Sequence, residues 1–205
     1  KPLLEAVRAK FQHEKGLEYG RDELIVGVGA KQLIFTALAA TVQAGDEVII
    51  PAPYWVSYPD MVLVNDGTPV VVVCPESDGF KLTPEALERA ITPRTKWVLL
   101  NTPSNPTGAM YGADELRALA AVLARYPHVW LLTDESYEHL AYGETRHQSP
   151  AAVAPELAGL PELRQAVAAH YARSQGLEFD WASEVTVTSG ATEALAAAFF
   201  GLFRA

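Results

Sequence analysis

The sequence predicts a doubly wound α/β fold, a mostly parallel sheet of about six strands with helices on both faces. Three observations predict it. Short β-branched and apolar runs at Leu24–Val28, Glu47–Ile50, Pro69–Val73, Trp97–Asn101 and Val129–Thr133 alternate with amphipathic stretches. Those runs are apolar on both faces of the pleat, as strands covered by helices on each side must be. Helix start and stop signals fall between the runs, where crossover helices are needed.

Taken in order, the chain opens on a helix that stops at a glycine, Gly16. The strand Leu24–Val28 follows, and the turn Val28-Gly29-Ala30-Lys31 leads into a helix beginning near Gln32. Further on, Thr83-Pro84 places a cap and an N1 proline before a helix over Glu85–Ile91. A helix over Ala113–Tyr126 carries Leu116, Leu119 and Leu123 on one face, and Tyr126-Pro127 ends it. Near the C-terminus, Pro161–Ser174 reads as a helix, Glu184–Thr188 as a strand and Thr192–Phe203 as a helix. A right-handed crossover of that kind supplies one more parallel strand. Glu184–Thr188 is expected to dock beside Val129–Thr133 and protect its open edge, with Leu24–Val28 pairing from the far side.

Sliding the chain against itself shows an internal repeat. Leu3, Ala6, Val7, Ala9, Phe11, Gly16, Leu17 and Glu18 match Leu163, Ala166, Val167, Ala169, Tyr171, Gly176, Leu177 and Glu178, and Gly29-Ala30 matches Gly190-Ala191. The copies have diverged, and nothing between them repeats, which excludes a solenoid. A Pro/Ala/Gly-rich join from Ser149-Pro150 to Gly159-Leu160 separates them. Residues 1–156 are therefore expected to form one large segment, and 157–205 a second helix-strand-helix copy completing the same sheet, one domain overall.

Composition narrows the partners. The 205 residues are 49% hydrophobic, enough to fill a sizeable core. Sixteen Lys and Arg against twenty-five Asp and Glu give a net charge of -9, with no basic run or basic-aromatic patch, which argues against nucleic acid. No apolar stretch approaches the roughly 18 to 20 residues of a membrane span, and Lys1-Pro2-Leu3-Leu4 lacks signal-peptide order. The missing initiator methionine leads to the expectation of a processed, trimmed or engineered chain. The lone Cys74 follows Val70-Val71-Val72-Val73 and reads as a buried strand-end thiol, so a reducing, cytoplasmic setting is expected. The five histidines, His13, His128, His139, His147 and His170, lack metal-ligand spacing and read as solvated or capping groups. Adjacent Asp134 and Glu135 point to opposite sides of a strand, so no metal site is expected there.

Four places could carry chemistry. At Gly29-Ala30-Lys31, backbone N–H groups, the positive end of a helix and an ammonium come together, an arrangement that stabilises a phosphate. Simple chain reversal would use the same glycine. Asn101-Thr102-Pro103-Ser104-Asn105-Pro106-Thr107-Gly108 leaves an apolar strand at the carboxyl edge of a parallel sheet, where ligands bind. Its prolines stiffen a loop that holds the Asn105 amide as a donor, although Asn-Pro also makes an ordinary turn. In Leu131-Leu132-Thr133-Asp134-Glu135-Ser136-Tyr137, an apolar strand ends in a carboxylate. Buried there, Asp134 could accept from a pyridinium N–H while Tyr137 reaches a phenolic oxygen, or it could cap the following turn. Pro53-Tyr54-Trp55 offers an aromatic pair able to stack on a flat ring or to fill the core.

The order and spacing of Gly29-Ala30-Lys31, Gly45-Asp46-Glu47, Pro53-Tyr54-Trp55, Asn105-Pro106-Thr107-Gly108 and Asp134-Glu135-Ser136-Tyr137 resemble class I/II aminotransferases of fold type I, most of all the bacterial aspartate aminotransferase branch. The resemblance runs from about Lys1 to about Glu156. It implies pyridoxal 5'-phosphate as cofactor, amino and keto acids as substrates, and a homodimer. It assigns the phosphate to Gly29, Ala30 and Lys31, ring stacking to Trp55, the phenolic oxygen to Asn105 and Tyr137, and the pyridine nitrogen to Asp134.

One part of the family pattern is absent. The Ser/Ala-Lys segment bearing the Schiff-base lysine, the Gly-x-Arg-x-Gly run after it and the substrate-carboxylate arginine are not in the sequence. After Gln148-Ser149-Pro150 the chain restarts at a second family-like segment, Gly159-Leu160-Pro161-Glu162-Leu163-Arg164. The lysines are Lys1, Lys10, Lys15, Lys31, Lys81 and Lys96, and only Lys31 is placed near the ring by the resemblance. Little or no transamination is therefore expected, and no residue is assigned as catalytic. The alternatives are a recombined structural domain without ligand function, and an active aminotransferase using an unexpected lysine or a complementing chain.

Overall fold

A computed structural model describes residues 2–20 and 23–155. The chain divides into two compact units, residues 1–41 with 159–205, and residues 42–158. The helix, strand and helix expected over 161–203 lie outside the described residues, as does the join beyond Pro155.

In the first unit, α1 (Pro2–Lys10) runs directly into a π-helical turn over Phe11–Lys15, which Gly16 closes at a φ of 67°. Val7, Phe11 and Leu24 are buried together, with Leu3, Leu4, Leu17 and Tyr19 against them. The Phe11 and Tyr19 rings meet edge to face at 5.1 Å. The second helix, α2, spans Ala30–Thr41 and so begins two residues before the expected Gln32. Leu24–Val28 is a correction, because it forms no strand among the described residues. An extended segment becomes a strand only when a neighbour completes its ladder, and none of the described strands pairs with it.

The second unit is a four-stranded parallel sheet in the order β2-β1-β3-β4. Its strands are β1 (Glu47–Ala52), β2 (Thr68–Val73), β3 (Thr95–Asn101) and β4 (Trp130–Asp134), each within two residues of the expected start. Between them run α3 (Ser57–Val64), α4 (Pro84–Ala90) and α5 (Ala113–Leu123), and α6 (Pro150–Val153) follows β4. Thr83 caps α4 as expected, its Oγ1 accepting from the Ala86 N–H at 3.2 Å. At the start of α5 the Glu115 carboxylate accepts from the Gly112 N–H at 2.7 Å. That helix ends at Leu123, short of Tyr126-Pro127, and the last residues turn through Tyr126 N–H to Leu123 C=O.

The strand order fixes the layers. The crossover from β1 to β2 runs one way across the sheet, and those from β2 to β3 and from β3 to β4 run the other way. With right-handed crossovers this puts α3 on one face and α4 and α5 on the opposite one. Ile49, Val98 and Leu100 line the α4/α5 face with Leu87, Leu116, Leu119 and Leu123. By alternation, Val48, Ile50, Trp97 and Leu99 face the α3 side, and all four are buried. Gly67 sits where α3 hands over to β2, so close that a Cβ would lie 2.5 Å from Val42 Cγ1. Cys74, just past β2, is buried and unpaired as a disulfide, as its apolar run indicated. Among the described residues, no helix is long and apolar enough to cross a membrane.

The buried Glu47 at the start of β1 closes the bottom of the sheet, accepting from Thr92 Oγ1 and from Arg94 Nε at 2.8 Å. The Thr92 hydrogen bond, working against burial and helped by the Arg94 guanidinium, holds this carboxyl below its ordinary value. A depressed folded-state value means stabilisation that is present above the unfolded-state value and is lost as pH falls through the folded one. Glu47→Gln is therefore expected to destabilise by about 1 to 2 kcal/mol at neutral pH, with the exposed Arg94 adding little. Urea unfolding at successively lower pH should show that difference shrinking. A difference independent of pH would refute this account.

Candidate functional site

The sheet has one topological switch point, between β1 and β3, where the chain leaves in opposite directions. Both loops singled out in the sequence start there. The β1 loop passes through Pro53-Tyr54-Trp55 into α3, and the β3 loop runs through Asn101 to Gly108. The carboxyl end of β4 lies next in the sheet, with Asn101 in register with Asp134. Asn101 Nδ2 and the Thr102 N–H both donate to the Asp134 carbonyl, at 2.8 and 3.0 Å. The Asn101 Oδ1 in turn accepts from the Asn105 N–H at 2.6 Å, which fixes the top of the Asn-Pro loop.

Four of the seven predicted residues sit in this region. Asp134 ends β4 and is 6% exposed. Tyr137 lies three residues further on and is 38% exposed. Asn105 Nδ2 stands 3.5 Å from the Tyr137 hydroxyl, so the β3 and β4 loops bring these two polar groups together. Trp55, half-buried, meets the Tyr58 ring edge to face at 5.3 Å.

Tyr58 is the residue that sequence reasoning missed here. Its hydroxyl donates to Asp134 Oδ2 at 2.7 Å, and the residue is 1% exposed. Burial first, and then the Asp134 carboxylate beside it, push this phenol far above the ordinary tyrosine value, so it remains a donor. A signal was present in the sequence, since an aromatic with a polar tip three residues after Trp55 faces inward at the start of a helix and needs a partner there. The other carboxylate oxygen, Oδ1, accepts from the Ser136 N–H at 3.1 Å and from Ser136 Oγ at 2.6 Å. Asp134 thus makes the turn anticipated for a capping aspartate and also stands as a buried acceptor at a strand end.

Glu135 turns away to different partners, and its neighbour is a second correction. His147, expected to be solvated or capping, instead turns its side chain inward to 7% exposure, because the Glu135 carboxylate inside needs donors and the imidazole supplies one at 2.8 Å. Ligand-type atoms of Glu135, Glu138 and His147 lie within 4.8 Å of one another, a grouping that sequence spacing did not show.

The other three predicted residues belong to the first unit. Gly29 adopts a φ of 101°, which favours glycine, and its carbonyl accepts from the Leu33 N–H at 3.3 Å, in the first turn of α2. Ala30 opens that helix and Lys31 follows, exposed, while Gln32 Oε1 accepts from the Val28 N–H at 2.6 Å.

A parallel sheet with polar loops gathered at its switch point defines the class of protein, an open α/β domain of the kind whose ligands bind beyond the carboxyl ends of the strands. Comparison supplies the family. The sequence model described as Aminotransferase class I and II matches residues 1–158 and, a second time, residues 144–205. The aspartate aminotransferase of Rhizobium meliloti strain 1021 is 56% identical over 155 residues, covering 76% of this chain and 38% of its own. The aspartate/prephenate aminotransferase of Cereibacter sphaeroides is also 56% identical over 155 residues, covering 76% of this chain and 39% of that protein. The crystal structure of the Rhizobium meliloti enzyme superimposes with a TM-score of 0.82 at 42% identity, over 96% of this chain and 53% of that one. Thermus thermophilus aspartate aminotransferase with maleate superimposes with a TM-score of 0.78 at 38% identity, over 98% and 55%. The chain belongs to the class I and II aminotransferase family. It spans less than two fifths of the length of those two relatives.

Proposed function

We propose that this chain carries a pyridoxal-phosphate-binding portion of an aminotransferase, with little or no transamination of its own. The observation that carries the reading is the buried Asp134 carboxylate at the carboxyl end of β4, with Asn105 and Tyr137 paired on the loops beside it. That donor and acceptor set fits a phenolic pyridine, which offers an N–H at one end and an oxygen at the other. When bound, pyridoxal phosphate supplies an electron sink for bonds at the α-carbon of an amino acid. Asp134 would accept from the ring nitrogen and keep its proton in place. Asn105 and Tyr137 would hold the phenolic oxygen, and Trp55 would cover a ring face. The phosphate assignment to Gly29, Ala30 and Lys31 rests on the sequence resemblance alone. Amino and keto acids are the proposed substrate class, following the relatives' names.

The absence of a Ser/Ala-Lys segment supports the loss of turnover. In the second unit, Lys81 pairs with Glu115, and Lys96 lies 4.4 Å over the Trp130 ring at the opposite end of β4 from Asp134. The second family match, over 144–205, supports reading the C-terminal part as a further homologous segment. A homodimer and a cytoplasmic setting belong to the same proposal.

One observation favours a second reading, a recombined structural domain without a ligand. Both Asp134 oxygens already accept hydrogen bonds, from Tyr58 and from Ser136, so the carboxylate is satisfied within the protein. Titration with pyridoxal phosphate separates the two. Saturable binding with a shifted absorbance band supports the cofactor site, and an affinity equal to that of denatured chain supports the structural reading. Borohydride trapping with peptide mass mapping is expected to find no lysine modified in proportion to bound cofactor, and one lysine so modified would favour the active-aminotransferase alternative.

A further inference from the structure

We infer that His147 and Ser149 are positioning residues for Asp134, acting through a buried clasp on Glu135. The Glu135 carboxylate, 0% exposed, accepts from Thr133 Oγ1 at 3.1 Å, from His147 Nε2 at 2.8 Å and from Ser149 Oγ at 3.2 Å. Thr133 and Glu135 flank Asp134 on both sides, so the clasp grips the backbone immediately before and after the carboxylate. His147 and Ser149 come from the loop 12 and 14 residues further along the chain, at the entry to α6, whose first turn is made by the Ala152 and Val153 N–H groups on the Ser149 carbonyl.

The chemistry of the pair explains its orientation. A carboxylate offers only acceptors, so His147 Nε2 carries the proton and donates. His147 Nδ1 is then left buried without a hydrogen-bond partner among the described residues, in a side chain only 7% exposed. Leaving a buried polar atom unpaired is costly, and here it accompanies a charge-assisted bond that fixes Glu135. Glu135 being held, Asp134 presents its side chain the other way, to Tyr58 and Ser136. This inference rests on the reading of Asp134 as the partner of the cofactor's ring nitrogen.

The test compares His147→Leu, which removes the donor, with His147→Gln, which keeps an amide N–H in reach of Glu135. Leu119→Ala, on α5 in the core, serves as a control that lowers stability without removing any hydrogen-bond partner of Glu135. In the folded fraction, His147→Leu is expected to weaken pyridoxal-phosphate binding about tenfold and to move the 15N resonance of the bound ring nitrogen, as loss of an outer-shell partner does elsewhere. His147→Gln is expected to restore both, and Leu119→Ala to change neither. A His147→Leu variant that loses thermal stability as Leu119→Ala does, yet keeps affinity and resonance, overturns the inference. If the parent chain binds no cofactor, the proposed function fails separately. The clasp is then read from the 13C carboxyl resonance of Asp134 in the cofactor-free protein, which His147→Leu must move and His147→Gln must leave in place. An unmoved resonance overturns it.

Discussion

Asp134→Asn is expected to weaken pyridoxal-phosphate binding about a hundredfold while leaving the fold close to intact, the loss corresponding to a charged hydrogen bond of about 2 to 3 kcal/mol. Asparagine suits the site because its amide can satisfy the same neighbours. Its oxygen takes the place of Oδ1 and accepts from Ser136, and its NH2 takes the place of Oδ2, where the Tyr58 hydroxyl can rotate to accept. What disappears is the negative charge that favours a protonated ring nitrogen. Alanine would be a poorer probe, since it leaves the buried Tyr58 hydroxyl without its acceptor and mixes a folding defect into the affinity. Calorimetric or absorbance titration, alongside urea unfolding, checks both halves. Equal affinity in parent and variant would remove Asp134 from the site and with it the main support for the cofactor reading.

Leu99→Ala is expected to cost about 2 to 5 kcal/mol of stability, a large share of what a domain of this size possesses. Leu99 is 1% exposed in the middle of β3, paired with Leu132 of β4 and turned toward the α3 face. It lines a small void shared with Ile50, Tyr58 and Asn101, so truncation enlarges space that is already there. Neighbouring strands are held in place by their ladders and cannot collapse to fill it, which puts the cost toward the upper end. Equilibrium urea unfolding measures the effect. A cost under about 1 kcal/mol would mean that this face of the sheet is less tightly packed than its burial shows. Because Leu99 is not itself one of the proposed ligand groups, affinity in the folded fraction is expected to hold, which separates this outcome from that of Asp134→Asn.

Much of the fold was legible because its determinants are local or periodic. Four parallel strands, the Thr83 cap and the buried Cys74 follow from β-branched runs, hydroxyl-proline pairs and apolar continuity. Leu24–Val28 shows where such reasoning stops, since an apolar run acquires strand structure only when another segment completes its hydrogen bonds. The site divides in the same way. Asn105, Asp134 and Tyr137 could be picked out because polar groups directly after apolar strands end up at the carboxyl edge of a parallel sheet.

Tyr58 and His147 could not be assigned their partners from the sequence. Tyr58 reaches a residue 76 positions away, and His147 one 12 positions away along an irregular loop. By itself, then, the sequence determined the strand and helix periodicity, the layer order it implies and the family motifs at the strand ends. Only the tertiary structure decided which side chains hold those motifs in place, because the partner of a buried polar group is set by which segments the sheet brings side by side, and no local pattern encodes that.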